Sequence, residues 1–264
     1  FPCREGFDLG VDHETILMRN VAVIPVRMGS ERLPGKVMRE VEGRPLLGHL
    51  LDRVKLSSEL SDVIVATSDF EENDCIQSFC NQQGVRVFRG SEYDVLDRIL
   101  GALRSMNADN GVLVFGDGPL IDPQIIDDVT RYFLEHSQYD FVSNDLETSW
   151  PPGMEVEAFN VATLADSAVN CTDSEIREHS TLYIRQHPDR YRLKNISAEG
   201  PLNRPDVSFE VDVEEDMIVV ESLLKNFRDN PKTPLPMLLD YMDSQPDLKA
   251  ISSRIVRKWT RYRS

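Results

Sequence analysis

Short apolar runs alternate with amphipathic stretches along the first half of the chain. Residues 21–26 are almost wholly apolar and read as a strand buried on both faces. Leu46, Leu47, Leu50, Leu51 and Val54 then recur at helical spacing and predict a helix over 45–54. Residues 62–67 predict a second strand, and 71–83 a helix with Gly84 as its C-cap. A short third strand is expected at 85–88. A helix over 94–106 follows, with Val95, Ile99, Leu103 and Met106 on one face. A fourth strand over 111–115 and a helix over 123–135 complete the series. Strands and helices alternating in such short units predict an α/β fold with a mostly parallel sheet flanked by helices. Sheets of this kind bind ligands at the carboxyl ends of their strands. The loops after Val26, Thr67, Phe88 and Phe115 are therefore the places to look.

The pattern changes after about Asp145. Trp150, Pro151, Pro152 and Gly153 form a turn-rich break. Residues 154–159 predict a strand and 161–169 a helix. Residues 181–185 are ambiguous, 207–211 are strand-like, and 214–227 read as a helix. This half is expected to complete the sheet and add a small cap or dimerisation arm. No internal repeat and no low-complexity linker occurs. Three regions are expected: an N-terminal lead over 1–20, a catalytic domain over 21–228, and a C-terminal extension over 229–264.

Charge sharpens the picture. The 264 residues hold 29 Lys and Arg against 45 Asp and Glu, a formal charge of -16. Such a chain is a poor candidate for bulk nucleic acid or anionic lipid. An anionic ligand would need a local cationic pocket or a divalent metal. Residues 249–264 run against the trend, with Lys249, Arg254, Arg257, Lys258, Arg261 and Arg263 and no acid. Ile251, Ile255, Trp259 and Tyr262 recur there at helical spacing. This basic amphipathic helix would pack on the acidic body or a twin subunit, or serve as an arm for an anionic partner. No apolar run reaches the ~20 residues of a membrane span. The first residues lack a signal peptide's apolar stretch and begin at Phe1, as in a trimmed chain or a piece of a longer one. Cys3, Cys75, Cys80 and Cys171 form no Cys-x-x-Cys pair, which fits a reducing cytoplasm.

The strongest chemical signal is the loop after the first strand. Within residues 24–36, Gly29, Ser30 and Gly35 allow close backbone approach, and Arg27, Arg32 and Lys36 supply three cations. Oriented amides and fixed cations together suit a polyphosphate. A surface turn with solvated basic residues is the alternative. The loop is neither a Walker P-loop nor a dinucleotide fingerprint, because the glycine spacing of both is absent. Two acidic positions stand out beside it. Asp117 follows the fourth strand in Gly-Asp-Gly-Pro, where it would face a ligand or cap the turn. Asp212 ends the strand-like 207–211 run, where it would hold a metal or N-cap the next helix.

The loop Arg27-x-Gly29-Ser30-x-Arg32-Leu33-Pro34-Gly35-Lys36 resembles the nucleotide-binding loop of sugar cytidylyltransferases. That family makes CMP-linked 3-deoxy-manno-octulosonate and CMP-linked sialic acids. The subgroup most similar is that of spore coat polysaccharide biosynthesis protein F. Five more motifs follow in family order, at residues 66–69, 88–96, 116–123, 177–181 and 211–216. The resemblance spans roughly residues 21–227 and implies a Rossmann-like nucleotidyltransferase fold, often dimeric. It implies transfer of CMP from CTP to an anionic acceptor such as a sugar acid, with Mg²⁺ and release of pyrophosphate. Carried over by position, Arg27, Gly29, Ser30, Arg32 and Lys36 would hold the triphosphate. Asp117 and Asp212 would hold Mg²⁺. Ser68, Arg89 and Gly90 would line the nucleoside pocket. Lys36, Arg32 and Asp117 are the residues expected to act on the reacting phosphates.

The segment 152–159 matches a further element of the subgroup near the acceptor. Glu155 or Glu157 would bind acceptor hydroxyls, or stand as exposed strand residues. His179 would bind acceptor or play a structural part. Gly118, Phe209-Glu210 and Val213-Glu214 depart from the family's usual residues. A nucleotide-sugar-dependent glycosyltransferase is a second reading, against which the chain has no Asp-x-Asp. A non-catalytic nucleotide-binding module of a longer biosynthetic protein is a third.

Overall fold

The computed structural model describes residues 18–230 and 232–255. The expectations for Cys3, Trp259, Tyr262 and the basic residues from Arg257 onward fall outside these residues.

The period-two pattern of each strand is realised on two faces at once. In β1 (Asn20–Pro25), Ala22 and Ile24 join one apolar core, and Val21 and Val23 the other. β2 (Asp62–Ser68) divides in the same way, with Val63 and Val65 opposite Ile64 and Ala66. β3 (Arg86–Gly90), β4 (Asn110–Val114), β5 (Phe141–Ser143), β6 (Val156–Asn160) and β7 (Leu193–Asn195) complete one sheet. Its order is β3-β2-β1-β4-β6-β5-β7. Within it only β6 runs against its neighbours. The expected mostly parallel sheet is thus present.

Helices cover both faces. α1 (Leu46–Val54), α2 (Asp74–Gln82) and α4 (Pro123–Glu135) bury their apolar stripes on the first core. α3 (Val95–Ser105) and α5 (Val161–Asn170) bury theirs on the second. α6 (Ser174–Arg177) and α7 (Leu182–Gln186) are short, and Ile184 of α7 joins the second core. The ambiguous 181–185 stretch is therefore helical. α8 (Glu214–Asn226), α9 (Leu235–Ser244) and α10 (Pro246–Ser252) follow. Leu235, Leu238, Leu239 and Met242 sit in the first core, so packing continues across the boundary expected at residue 229. α10 stops at Ser252, and the part of the expected tail helix beyond Ile255 lies outside the described residues.

Residues 207–211 form no strand. Val207, Phe209 and Val211 are buried, as their alternation implies. However, the Phe209 amide donates to the Pro152 carbonyl (2.7 Å) and the Val211 amide to the Asp117 carbonyl (2.8 Å). The backbone hydrogen bonds go to two loops instead of a ladder. The contact is tight, because a Cβ on Gly118 would lie 2.6 Å from the Gly153 carbonyl oxygen. A Cβ on Gly153, which sits at φ 95°, would lie 2.7 Å from the Glu210 amide nitrogen.

The chain leaves β1 toward β2 and β3 on one side, then returns to β4 on the other. β1 and β4 therefore flank the reversal in strand order, where loops diverge and a crevice opens.

Away from the crevice, Asp127 on α4 fastens the 57–59 turn. Its carboxylate accepts from the Ser57 and Ser58 hydroxyls and from the Ser58 (2.9 Å) and Glu59 (3.2 Å) amides. Burial pushes this carboxyl up, and the hydrogen bonds outweigh it and hold it below the usual carboxylate range. Asp127→Ala should lower stability at neutral pH by about 1–3 kcal/mol in urea titrations. A depressed folded-state pKa stabilises above the unfolded value and is lost as pH falls through the folded one. The gap between wild type and variant should therefore narrow below pH ~4. A gap that does not change with pH would contradict this account.

Candidate active site

The loop leaving β1 curls on itself. The Ser30 and Gly35 amides both donate to the Met28 carbonyl, at 2.9 and 2.8 Å. Gly35 sits at φ 72°, a left-handed conformation that glycine adopts without Cβ strain. The short helical turn Lys36–Met38 follows and buries Lys36. From outside, the buried Asn73 holds the loop. Its Oδ1 accepts from the Met28 amide (2.9 Å), and its Nδ2 donates to Ser68 Oγ (2.8 Å) at the end of β2.

The three cations predicted from the loop gather at one cleft of about 470 Å³, and each meets carboxylates. Arg27 contacts Glu92 (2.7 Å) and Glu178 (3.2 Å). Arg32 pairs with Asp212. Lys36 Nζ lies 3.1 Å from Asp212 Oδ1 and 3.7 Å from Asp117 Oδ2, and it donates to the Val211 carbonyl. Asp117 and Asp212, 95 positions apart in sequence, thus converge on one ammonium. Asp212 does not cap α8. Asp216 takes that part, accepting from the Asp212 (2.8 Å) and Val213 (3.0 Å) amides, and the Asp212 carboxylate turns to the cations.

Other predicted residues fall differently. Ser30 lines the cleft, whereas Gly29 packs beside carboxylates, where a Cβ would lie 3.2 Å from Glu72 Oε1. Ser68 is fully buried. Arg89 spans the turn after β2, donating to the Ser68 (3.1 Å) and Phe70 (2.8 Å) carbonyls and to Gln77 (2.9 Å). The Gly90 carbonyl accepts from the Asp69 amide (2.9 Å). Ser68, Arg89 and Gly90 shape the loop beside the cleft and do not line it. Glu155 is buried and its Oε2 accepts from the Gly153 amide (2.7 Å), within the turn that backs the cleft. Glu157 is also buried and pairs with Arg185 (3.0 Å), so neither acid is an exposed strand residue. His179 lines the main cleft and a smaller cavity beside it.

One cleft cation is absent from the sequence reading. Arg98 of α3 is buried, lines the cleft, and donates to the Ser91 (2.6 Å) and Glu92 (3.3 Å) carbonyls. Burial pulls its guanidinium below the ordinary value, and Glu92 acts in the opposite direction. The signal lay in the helical spacing, because Arg98 falls three residues after Val95 on the apolar face. Arg177 anchors the opposite rim by binding Asp94 (2.8 Å) and the Ala168 and Cys171 carbonyls (both 2.8 Å). That anchor sets Glu178 and His179 over the cleft. Arg27, Arg32, Lys36 and Arg98 are balanced by Glu31, Asp117, Glu178 and Asp212, so the described lining is formally neutral. Among the described residues no group of three or more His, Cys, Asp or Glu side chains gathers as a metal site.

Asn73 joins the β1 loop to the end of β2 through its side chain. Asn73→Ala should cost about 1–3 kcal/mol of stability by removing an acceptor from a backbone amide. Nucleotide affinity should fall with it. A stable variant with unchanged nucleotide binding would show that the loop holds its shape without this tie.

Comparison with known proteins agrees with this geometry. A family model described as cytidylyltransferase matches residues 21–243. The chain is 33% identical over 231 residues to spore coat polysaccharide biosynthesis protein SpsF of Bacillus subtilis, covering 85% of this chain and 94% of that protein. It is 30% identical over 189 residues to a 3-deoxy-manno-octulosonate cytidylyltransferase of Bdellovibrio bacteriovorus, covering 70% of each. A solved cytidylyltransferase of Leptospira borgpetersenii superposes with a TM-score of 0.84 at 27% identity, over 91% of this chain and 99% of that one. The fold also matches a CMP:2-keto-3-deoxy-manno-octonic acid synthetase solved with CTP, at a TM-score of 0.59 and 18% identity, over 79% of this chain and 99% of that one. With a family model matching residues 21–243 and a relative 33% identical over 231 residues, the chain belongs to the cytidylyltransferase family.

Proposed function

We propose that this chain transfers CMP from CTP to an acidic acceptor of the sugar-acid type, releasing pyrophosphate, in the making of a surface polysaccharide or glycoconjugate. The observation that carries the reading is the convergence of Arg27, Arg32 and Lys36 with Asp117 and Asp212 where the strand order reverses. The names of the relatives support the same chemistry.

In this reading the acceptor oxygen attacks the α-phosphorus in line with the departing pyrophosphate. The new phosphorus–oxygen bond forms as the α–β bridge breaks. Reactions of this type depend mainly on positioning and charge stabilisation. Arg32 and Lys36 would hold the β- and γ-phosphates and offset the charge of the leaving group. Arg27 and Ser30 would steer the chain of phosphates along the β1 loop. His179 would bridge nucleotide and acceptor, because it lines both cavities.

Mg²⁺ belongs to this reading. Asp117 and Asp212 suit it, since both present hard carboxylate oxygens to the position of one cation, the Lys36 ammonium. Mg²⁺ prefers one or two carboxylates and completes its shell with phosphate oxygens and water. When bound, it would neutralise charge on the phosphates. A formally neutral cleft needs such a cation to accept a tetraanionic nucleotide. A homodimer and a cytoplasmic setting belong to the reading through the family resemblance. No helix among the described residues is long and apolar enough to cross a membrane.

The test is pyrophosphate release from each of four nucleoside triphosphates against a panel of acidic acceptors, with CTP expected to be preferred. Lys36→Ala and Asp117→Ala should each reduce turnover by about 100-fold or more while leaving the thermal melt cooperative. Full activity in either variant would overturn the site. Release of a nucleoside mono- or diphosphate from a nucleotide sugar would point to glycosyl transfer instead.

A further inference from the structure

A second cavity of about 270 Å³ lies beside the nucleotide cleft and shares Pro25, Val95, Phe115, Glu178 and His179 with it. One of its walls is the turn that carries the chain from α6 into α7. The His179 amide donates to the Ile176 carbonyl (3.0 Å), and the Leu182 amide donates to the His179 carbonyl (2.9 Å). Ser180 and Thr181 are thus the two central residues of a tight turn. Ser180 sits at φ 38°, and Thr181 at φ -104° and ψ 0°. A positive φ at the first central position, followed by a negative one, is the pattern of a II′ turn, where glycine is favoured first. Glycine takes that position freely, whereas the Cβ of a serine strains it.

The turn is held from both ends. Arg177 binds Asp94 and the Ala168 and Cys171 carbonyls on one side. On the other, Arg185 lies 3.1 Å from Asp145 and 3.0 Å from Glu157 and donates to the Asp145 carbonyl (2.9 Å). A strained conformation persists where its surroundings over-determine it, as these two anchors do. The same contacts match the acids of the cavity with arginines, because Glu178 is paired with Arg27. The turn itself offers a ligand two neutral hydroxyls. Ser180 and Thr181 both line the cavity and are only 7% and 3% exposed. Among the described residues neither hydroxyl has a hydrogen-bond partner, and the Thr181 side chain does not cap α7. Buried polar groups of this kind are costly until something bonds them.

We propose that Ser180 and Thr181 form a subsite for the acceptor, in which their hydroxyls hydrogen-bond a hydroxyl group of the acid that receives CMP. Ser180 keeps its strained backbone because its side chain is used there. The inference rests on the CMP-transfer reading above. Each of the two side chains can both donate and accept, as can a ligand hydroxyl. His179 precedes them in the chain and lines both cavities, so an acid held by this turn lies next to the nucleotide. A site built to bond a hydroxyl rejects an analogue that lacks it, because the site's own groups are then left unpaired. The turn thereby selects the acid, and the β1 loop holds the nucleotide.

The test measures pyrophosphate release from CTP with Mg²⁺, with 3-deoxy-manno-octulosonate and N-acetylneuraminate as probe acids, for the full chain and three variants. CTP affinity is measured by calorimetry on the same samples. Ser180→Ala removes the hydroxyl and keeps the Cβ. It should raise the KM of the acid about fivefold or more, with melting temperature and CTP affinity unchanged. Thr181→Val should raise the same KM. Ser180→Gly should raise it as much and also melt about 1–3 °C higher, because glycine relieves the backbone. A more stable protein with a poorer hold on its acceptor is a combination that a purely structural turn does not give. An unchanged KM of the acid in both Ser180→Ala and Thr181→Val would overturn the proposal, and so would a lower melt for Ser180→Gly. Turnover of neither probe by the wild type while CTP binds would overturn it as well. Failure of CTP to bind would instead overturn the nucleotide reading on which it rests.

Discussion

The contact on which the site depends is the buried Lys36 ammonium held between Asp212 and Asp117. It joins residues 176 positions apart in sequence, and it does so where no ladder hydrogen bonds exist. Residues 207–211 cross behind the cleft without entering the sheet, fastened at the Pro152 and Asp117 carbonyls and at Lys36. Gly118 and Gly153 let these three backbones touch. A charged group buried without partners would be costly, so the geometry of Asp212 and that of the β1 loop stand or fall together. The two aspartates and the cations of the β1 loop are thereby built as one unit.

That unit explains how a chain of charge -16 can serve an anionic nucleotide. Each loop cation is already matched with a carboxylate, so the cleft does not present bare positive charge. A polyanion arriving alone would have to displace Asp212 from Arg32 and Lys36. An incoming divalent cation shared with the two aspartates would relieve that competition, because it lowers their hold on the same two side chains. Metal and nucleotide binding would then favour each other through simple charge balance, with no movement of the sheet.

Much of this was legible in the sequence, for identifiable reasons. The central strands are buried on both faces, so their apolar runs survive as a one-dimensional signal, and loops at their carboxyl ends are fixed by topology. β5 and β7 have three residues each, too few to show a period. The alternation at 207–211 correctly reported burial, yet burial does not say what the backbone bonds to. Glu155 and Glu157 lie two apart in the strand expected over 154–159 and looked equivalent. One turns back to the Gly153 amide and the other meets Arg185 from α7, a difference made entirely by tertiary contacts. Asn73 and Arg98 matter through the backbone groups they satisfy in other loops; helical spacing places Arg98 on the inward face, but no local pattern names the partners of either.

Glu178 ties the two cavities together. It lines both, and it is one of two carboxylates that hold Arg27. Glu92, the other, is buried and fixed beneath by Arg98, whereas Glu178 is the more exposed. The rim that carries Glu178 is itself pinned by Arg177 to Asp94 at the start of α3, the helix that carries Arg98. One helix therefore sets both carboxylates that restrain Arg27.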